Sequence, residues 1–174
     1  MVVANHPSLI DVVLLIACIR DAGCVVKQGL WDNPFTRGPV QAAGYISNDA
    51  SVEMIENTAQ ALREGQTLVI FPEGTRTTPG QMPRFHRGAA AIAIRGARCV
   101  TPVVIRVNPT TLTKAEPWYR IPSRRVHFSL EVGEAIDPQH FAQQAPAPIA
   151  SRRLDALLHD YFVQELTKNE RSAP

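Results

Sequence analysis

A histidine with an aspartate five positions later, in Asn5-His6-Pro7-Ser8-Leu9-Ile10-Asp11, is the first place where residue types and spacing permit chemistry. Val2, Val3 and Ala4 read as the end of a buried strand, and a helix follows at once over Ile10 to Ala22, so His6 leaves a strand end while Asp11 occupies the first helical turn. From that position a carboxylate reaches one imidazole nitrogen, fixes the tautomer and leaves the other nitrogen to take a proton. The pair is half of a catalytic triad with no serine in third place, which suits a general base acting on a hydroxyl that arrives with the substrate. The plainer alternative is a loop histidine beside an acid that serves only the helix N-terminus, with Ser8 as its N-cap. A second segment, Phe71-Pro72-Glu73-Gly74-Thr75-Arg76-Thr77, lies where a buried strand gives way to a loop, the place where ligands gather in open α/β sheets. Gly74 lets backbone approach a ligand, Arg76 offers a fork for phosphate, and Glu73 supplies a carboxylate for hydroxyls or for orienting that arginine. Its plainer alternative is a β-turn carrying a solvent-facing arginine.

The elements that must position these residues are readable in outline. Cys24 to Lys27 is a short strand, and Trp31 to Gln41, interrupted by Pro34, Gly38 and Pro39, reads as short helical or irregular pieces. Asn48 and Asp49 are candidate caps for a helix through Arg63, with Val52, Ile55, Ala59 and Leu62 on one face and Gly65 at its end. Thr67 to Phe71 is a strand buried on both faces, and Pro72 to Arg87 is a long surface loop, a length that is usually functional. A short helix at Ala89 to Ile94, strands at Val100 to Val107 and Arg125 to Val132, and a linker at Gln143 to Pro148 follow. The chain ends in an amphipathic helix over Ile149 to Leu166, with Leu154, Leu157, Leu158 and Tyr161 on its buried side and Pro174 in a frayed tail. This order implies one α/β domain without repeats.

Composition agrees. A chain of 174 residues has room for one domain, and 45% hydrophobic with 20% charged residues is an ordinary globular balance that excludes a disordered chain. The longest apolar run, Val12 to Ile19, falls far short of the roughly 20 residues of a spanning helix. Cys18, Cys24 and Cys99 cannot all pair, and their apolar neighbours fit reduced core thiols of a cytoplasmic protein; no metal-ligand spacing occurs. A net charge of +2 gives no nucleic-acid footprint. The basic residues do cluster: Arg76, Arg84, His86 and Arg87 in one zone, Lys114, Arg120, Arg124 and Arg125 in another.

Taken together, Asn5-His6, Asp11, Phe71-Pro72-Glu73-Gly74-Thr75-Arg76 and Val100-Thr101-Pro102-Val103 resemble the ordered blocks of the glycerolphosphate and lysophospholipid acyltransferase family, the group that includes 1-acylglycerol-3-phosphate acyltransferase. The likeness runs from Val2 to about Val107. It implies a mixed, mostly parallel central sheet flanked by helices, and an O-acyl transfer from a coenzyme A or acyl carrier protein thioester to a hydroxyl of a lysophospholipid or glycerol phosphate. In that reaction His6 would be the general base, Asp11 its orienting partner, and no acyl-enzyme forms. The resemblance also assigns Glu73, Gly74, Thr75 and Arg76 to acceptor binding, with Arg76 on a phosphate. It puts Thr101, Pro102 and Val103 near the acyl-binding wall and Gly88 at the start of the helix after the loop. It implies no cofactor beyond the thioester co-substrate, and a peripheral position on the inner face of the cytoplasmic membrane of a bacterium. Members carry an anchoring or helical segment before the first block. Here that block begins four residues after Met1, so the expectation is a single acyltransferase domain over 1–174 lacking that segment, either because the sequence starts late relative to its full gene product or because it reaches the bilayer by surface contacts and partners.

One block departs from the pattern. Members acting on lysophosphatidic acid commonly have an Asp-Arg pair in the second block, where this chain has Asp49-Ala50. Arg84, His86 or Arg87 would then have to supply the missing phosphate contact, or the acceptor is another lipid alcohol. Leu30-Trp31-Asp32-Asn33-Pro34-Phe35 and Ala43-Gly44-Tyr45-Ile46-Ser47-Asn48-Asp49 look like the bacterial acyltransferases that accompany aryl-polyene or xanthomonadin-type pigments, and a hydrolase using the same His-Asp pair on water is the competing reaction class. His127, His140 and His159 lie outside these blocks. Trp31, Phe35 and Tyr45 suit either an acyl channel or the core. Trp118 and Tyr119, near Arg120, suit either a membrane surface or a plain loop.

Overall fold

The structure, a computed structural model, describes residues 1–49, 51–114, 116–117 and 119–170. Six strands form one sheet: β1 (Val2–Ala4), β2 (Ala22–Lys27), β3 (Ile46–Asn48), β4 (Thr67–Ile70), β5 (Thr101–Asn108) and β6 (His127–Val132), in the order β3-β2-β4-β1-β5-β6. All neighbours run parallel except β5 and β6. Among the described residues there are also seven helices: α1 (Asp11–Cys18), α2 (Gln28–Asp32), α3 (Arg37–Ala42), α4 (Val52–Arg63), α5 (Gly88–Gly96), α6 (Pro138–Gln144) and α7 (Ala147–Glu170). The expected mixed, mostly parallel sheet flanked by helices is what forms.

Strand side chains alternate between two cores, as a period of two requires. Val2, Ala4, Val69, Val103 and Ile105 pack with Leu15 of α1 on one face. Val3, Leu68, Ile70 and Val104 pack on the other with Leu62 of α4, Ile92 of α5, and Leu154, Leu158 and Phe162 of α7. Helices α4 and α5 approach closely because Gly96 has no side chain; a Cβ there would fall on the backbone of Ala59. β1 lies between β4 and β5, with Val3 opposite both Ile70 and Pro102. The chain leaves β1 toward α1 on one face and leaves β4 toward α5 on the other, so the carboxyl ends of β1 and β4 form a topological switch point.

Several local expectations differ. Helix α1 stops at Cys18 rather than Ala22, because Asp21 takes a left-handed turn with φ 53° and β2 starts at once. Helix α4 is capped by Ser51, whose hydroxyl accepts from Met54 N, while Asp49 accepts from Ser51 N. Its buried face is Met54, Thr58, Ala59 and Leu62, and Val52 is 81% exposed. Where a linker over 143–148 was expected, α6 runs to Gln144 and α7 starts at Ala147, so only residues 145–146 join them. Phe162 is fully buried where Leu157 was expected to be, and Tyr161 is only half-buried. Of the three free cysteines, only Cys24 is in the core, where burial pushes its thiol up to about 12; Cys18 and Cys99 are exposed. The tail at Pro174, expected to fray, lies outside the described residues. Among those residues no helix is long and apolar enough to cross a membrane.

Candidate active site

The site begins with Asn5. Its side chain is buried and mimics a backbone amide: Nδ2 donates to Ile105 O at 2.8 Å and Oδ1 accepts from Ile105 N at 2.7 Å. The pairing of β1 with β5 therefore continues one residue past the strand while the main chain turns away and presents His6. His6 Nδ1 lies 2.9 Å from Asp11 Oδ2, with side-chain exposures of 17% and 0%. The same carboxylate oxygen accepts from Ser8 N at 2.6 Å, whereas Asp11 Oδ1 is buried without a partner among the described residues. Ser8 is thus not a side-chain cap of α1; Ile10 holds the cap position, and Ser8 contributes its backbone N–H to Asp11. Because Asp11 Oδ2 is placed as an acceptor, the imidazole proton belongs on Nδ1, and Nε2 of the neutral ring keeps its lone pair. The ring packs against Phe71, with centroids 4.4 Å apart and planes tilted by 31°.

Phe71 follows β4, and the segment after it grips His6 from behind. Glu73 Oε1 accepts from His6 N at 2.9 Å, Thr77 N donates to His6 O at 2.7 Å, and the Thr77 hydroxyl donates to Glu73 Oε2. Both main-chain groups of His6 are therefore held by residues about seventy positions away. Burial pushes the Glu73 carboxyl above its ordinary range, against the opposing hydrogen bonds from Thr77 and His6 N. Gly74 adopts φ 62° in a turn closed by its N–H on Phe71 O, and a Cβ there would sit 3.4 Å from the His86 ring. His86 N in turn donates to Pro72 O at 2.8 Å, closing the loop on itself.

Arg76 is half-buried, and its Nη1 donates to the carbonyls of Leu112 and Thr113 at 2.9 and 3.0 Å. Leu112 O also accepts from Leu9 N at 3.1 Å. The arginine thus ties the connection after β5 to the loop after β4, beside the turn that carries His6. Thr75 is half-buried, and Arg84 and Arg87 are exposed. Arg87 lies close enough to Asp155 of α7 to oppose the upward shift that burial gives that carboxyl. Gly88 opens α5, where the resemblance placed it. Thr101 and Pro102 pair with Val2 and Val3, toward the sheet end away from His6; Val103, opposite Ala4, is the nearest of the three. Ala50 and Trp118 lie outside the described residues. Phe35 is 91% exposed and therefore not core, while Trp31 and Tyr45 are half-buried. His127 and His140 are exposed, and His159 is half-buried edge-on to Phe85. No group of three or more metal-ligating side chains occurs among the described residues.

Four of the contributing residues were not assigned a role from the sequence. Asn5 and Thr77 stood inside the quoted blocks but had no role, since their partners are distant in the chain. The Leu112 and Thr113 carbonyls carried no signal at all, because any residue supplies a carbonyl.

The chain resembles known proteins. A model of the family described as Acyltransferase matches residues 1–106. A 1-acyl-sn-glycerol-3-phosphate acyltransferase of Cocos nucifera is 25% identical over 88% of this chain and 57% of its own length. One from Helicobacter pylori (strain J99 / ATCC 700824) is 30% identical over 67% of this chain and 52% of its own. This chain accordingly spans about half the length of these curated relatives. The crystal structure of the 1-acyl-sn-glycerophosphate acyltransferase of Thermotoga maritima shares the fold, with a TM-score of 0.65 at 24% identity over 95% of this chain and 65% of that one.

Proposed function

Since the chain belongs to the acyltransferase family, whose model spans residues 1–106, we propose that it is an O-acyltransferase of the 1-acylglycerol-3-phosphate type. The observation that carries this reading is the fully buried Asp11 carboxylate held on Nδ1 of a histidine whose side chain keeps 17% of its surface exposed. In the proposed reaction Nε2 of His6 removes the proton of an acceptor hydroxyl as that oxygen attacks the carbonyl carbon of an acyl thioester. A C–O bond forms, the tetrahedral intermediate collapses with cleavage of the C–S bond, and the imidazolium returns its proton to the departing thiolate. Asp11 balances the imidazolium charge, and a general base of this kind supplies about 10²–10⁴-fold in rate. No acyl-enzyme intervenes, because the nucleophile belongs to the substrate.

Glu73 and Thr77 act in this account as positioning residues for the His6 backbone, and the 72–87 loop with Arg76 supplies the acceptor side. The acceptor is a lysophospholipid or glycerol phosphate, and the donor is acyl-coenzyme A or acyl carrier protein. A lipid acceptor puts the reaction at a membrane surface, with the protein peripheral on its cytoplasmic face. The test is thiol release from an acyl thioester with and without 1-acylglycerol 3-phosphate. The proposal expects release that depends on acceptor and yields the diacyl product. Equal release without acceptor identifies a hydrolase instead, and transfer only to a pigment-type alcohol moves the acceptor outside the glycerol phosphates.

A further inference from the structure

The connection between β5 and β6 builds a second cationic region that the mechanism does not use. Asn108, Pro109, Arg124, Arg125 and His127 line a hollow of about 310 Å³ where β5 ends and β6 begins. An adjoining hollow of about 340 Å³ shares Pro109 and Arg124 and is walled in addition by Thr111, Glu116, Arg120 and Ile121. Among the described residues that line it Glu116 is the one carboxylate, and Arg120 pairs with it at 3.1 Å. Arg124 and Arg125 make no ion pair or side-chain hydrogen bond among the described residues, so two guanidinium groups flank the hollows without a compensating anion. Exposed arginines ordinarily remain solvated or pair with nearby acids. Two unpaired forks bordering concave surface match the planar, bidentate geometry that phosphate oxygens satisfy. Ile121, 89% exposed, and Pro109 add apolar wall, which suits the organic part of a phosphoester better than a bare ion.

Position links these hollows to the reaction. They open at the carboxyl end of β5, the sheet edge that also carries His6 and Glu73. Thr111 lines one of them, and the next residue's carbonyl receives both Arg76 and Leu9 N. We propose that Arg120, Arg124 and Arg125 form a second phosphate-binding subsite, separate from Arg76, that holds a phosphoester group of a substrate. Its presence as an anion site stands on charge and shape alone. Only the identity of the phosphoester, donor nucleotide phosphate or acceptor headgroup, rests on the transferase reading.

The experiment is calorimetric titration of the full chain with inorganic pyrophosphate, coenzyme A and glycerol 3-phosphate, in the native protein and in an Arg124→Glu/Arg125→Glu variant. Neither arginine makes an ion pair or side-chain hydrogen bond with a described residue, so the variant is expected to melt with the native protein; should it melt early, Arg125→Gln alone serves. The proposal expects at least tenfold weaker binding of pyrophosphate by the variant. Coenzyme A affected and glycerol 3-phosphate spared assigns the subsite to the donor, and the reverse assigns it to the acceptor. Affinities for all three probes that stay within twofold of the native values overturn it. His6→Ala is titrated alongside and is expected to bind pyrophosphate as the native chain does, which separates failure of the subsite from failure of the transferase reading.

Discussion

His6 is fixed at three points: Asp11 on Nδ1, Glu73 on the backbone N–H and Thr77 on the backbone carbonyl. The His-Asp pair was legible because both members lie on one turn, five residues apart, and local spacing reports local geometry. Glu73 was legible as a site residue, yet its partners are the backbone of His6 and the Thr77 hydroxyl, a pairing created only when β1 and β4 lie side by side. Its burial has a consequence for stability. The folded chain holds the Glu73 proton more tightly than the unfolded chain, because desolvation raises the carboxyl above its ordinary 4.5. That contribution is complete below the ordinary value and is lost as pH rises through the raised one. Glu73→Gln stays neutral and keeps an acceptor for His6 N. Its stability relative to the native chain should therefore rise between pH 4 and pH 7, measured as the shift of the urea midpoint, and a difference that does not change with pH contradicts the burial argument.

Among the elements, the long loop after β4 was visible in the sequence because Pro72 to Arg87 lacks both periodicities. What it holds was not visible. Its anchors are Thr77 N on His6 O, His86 N on Pro72 O, and Arg76 on two carbonyls of the connection after β5. Helix faces were less legible than helix existence: in α4 a hydrophobic spacing starting at Val52 competed with one starting at Met54, and packing against α5 selected the second. Strand β3, three residues long, is too short to show a period. The Arg76 bridge makes a prediction at this scale. Arg76→Ala frees the 109–114 segment, so the amide of Leu9, whose acceptor is Leu112 O on that segment, should exchange with solvent hydrogen at least tenfold faster. Unchanged protection at Leu9 shows that the segment is held without the arginine.

For the whole molecule, the alternation of strands and helices announced a mostly parallel α/β sheet, but strand order is a matter of distant pairings. Placing β4 between β2 and β1 is what brings two segments far apart in sequence to one switch point. The other parallel neighbour of β1, β5, adds the Asn5 contact and the connection that meets Arg76. One sheet edge thus carries a buried acid, an oriented histidine, and cations on two separate loops, an arrangement suited to a phosphate-bearing alcohol meeting an acyl thioester. The measurement that bears most directly on this account is acyl transfer to 1-acylglycerol 3-phosphate by native protein and by His6→Ala, at matched far-ultraviolet circular dichroism and melting temperature. The account predicts a loss of about 10²–10⁴-fold in the rate of transfer, whereas a His6→Ala protein that transfers within a few-fold of the native rate contradicts it.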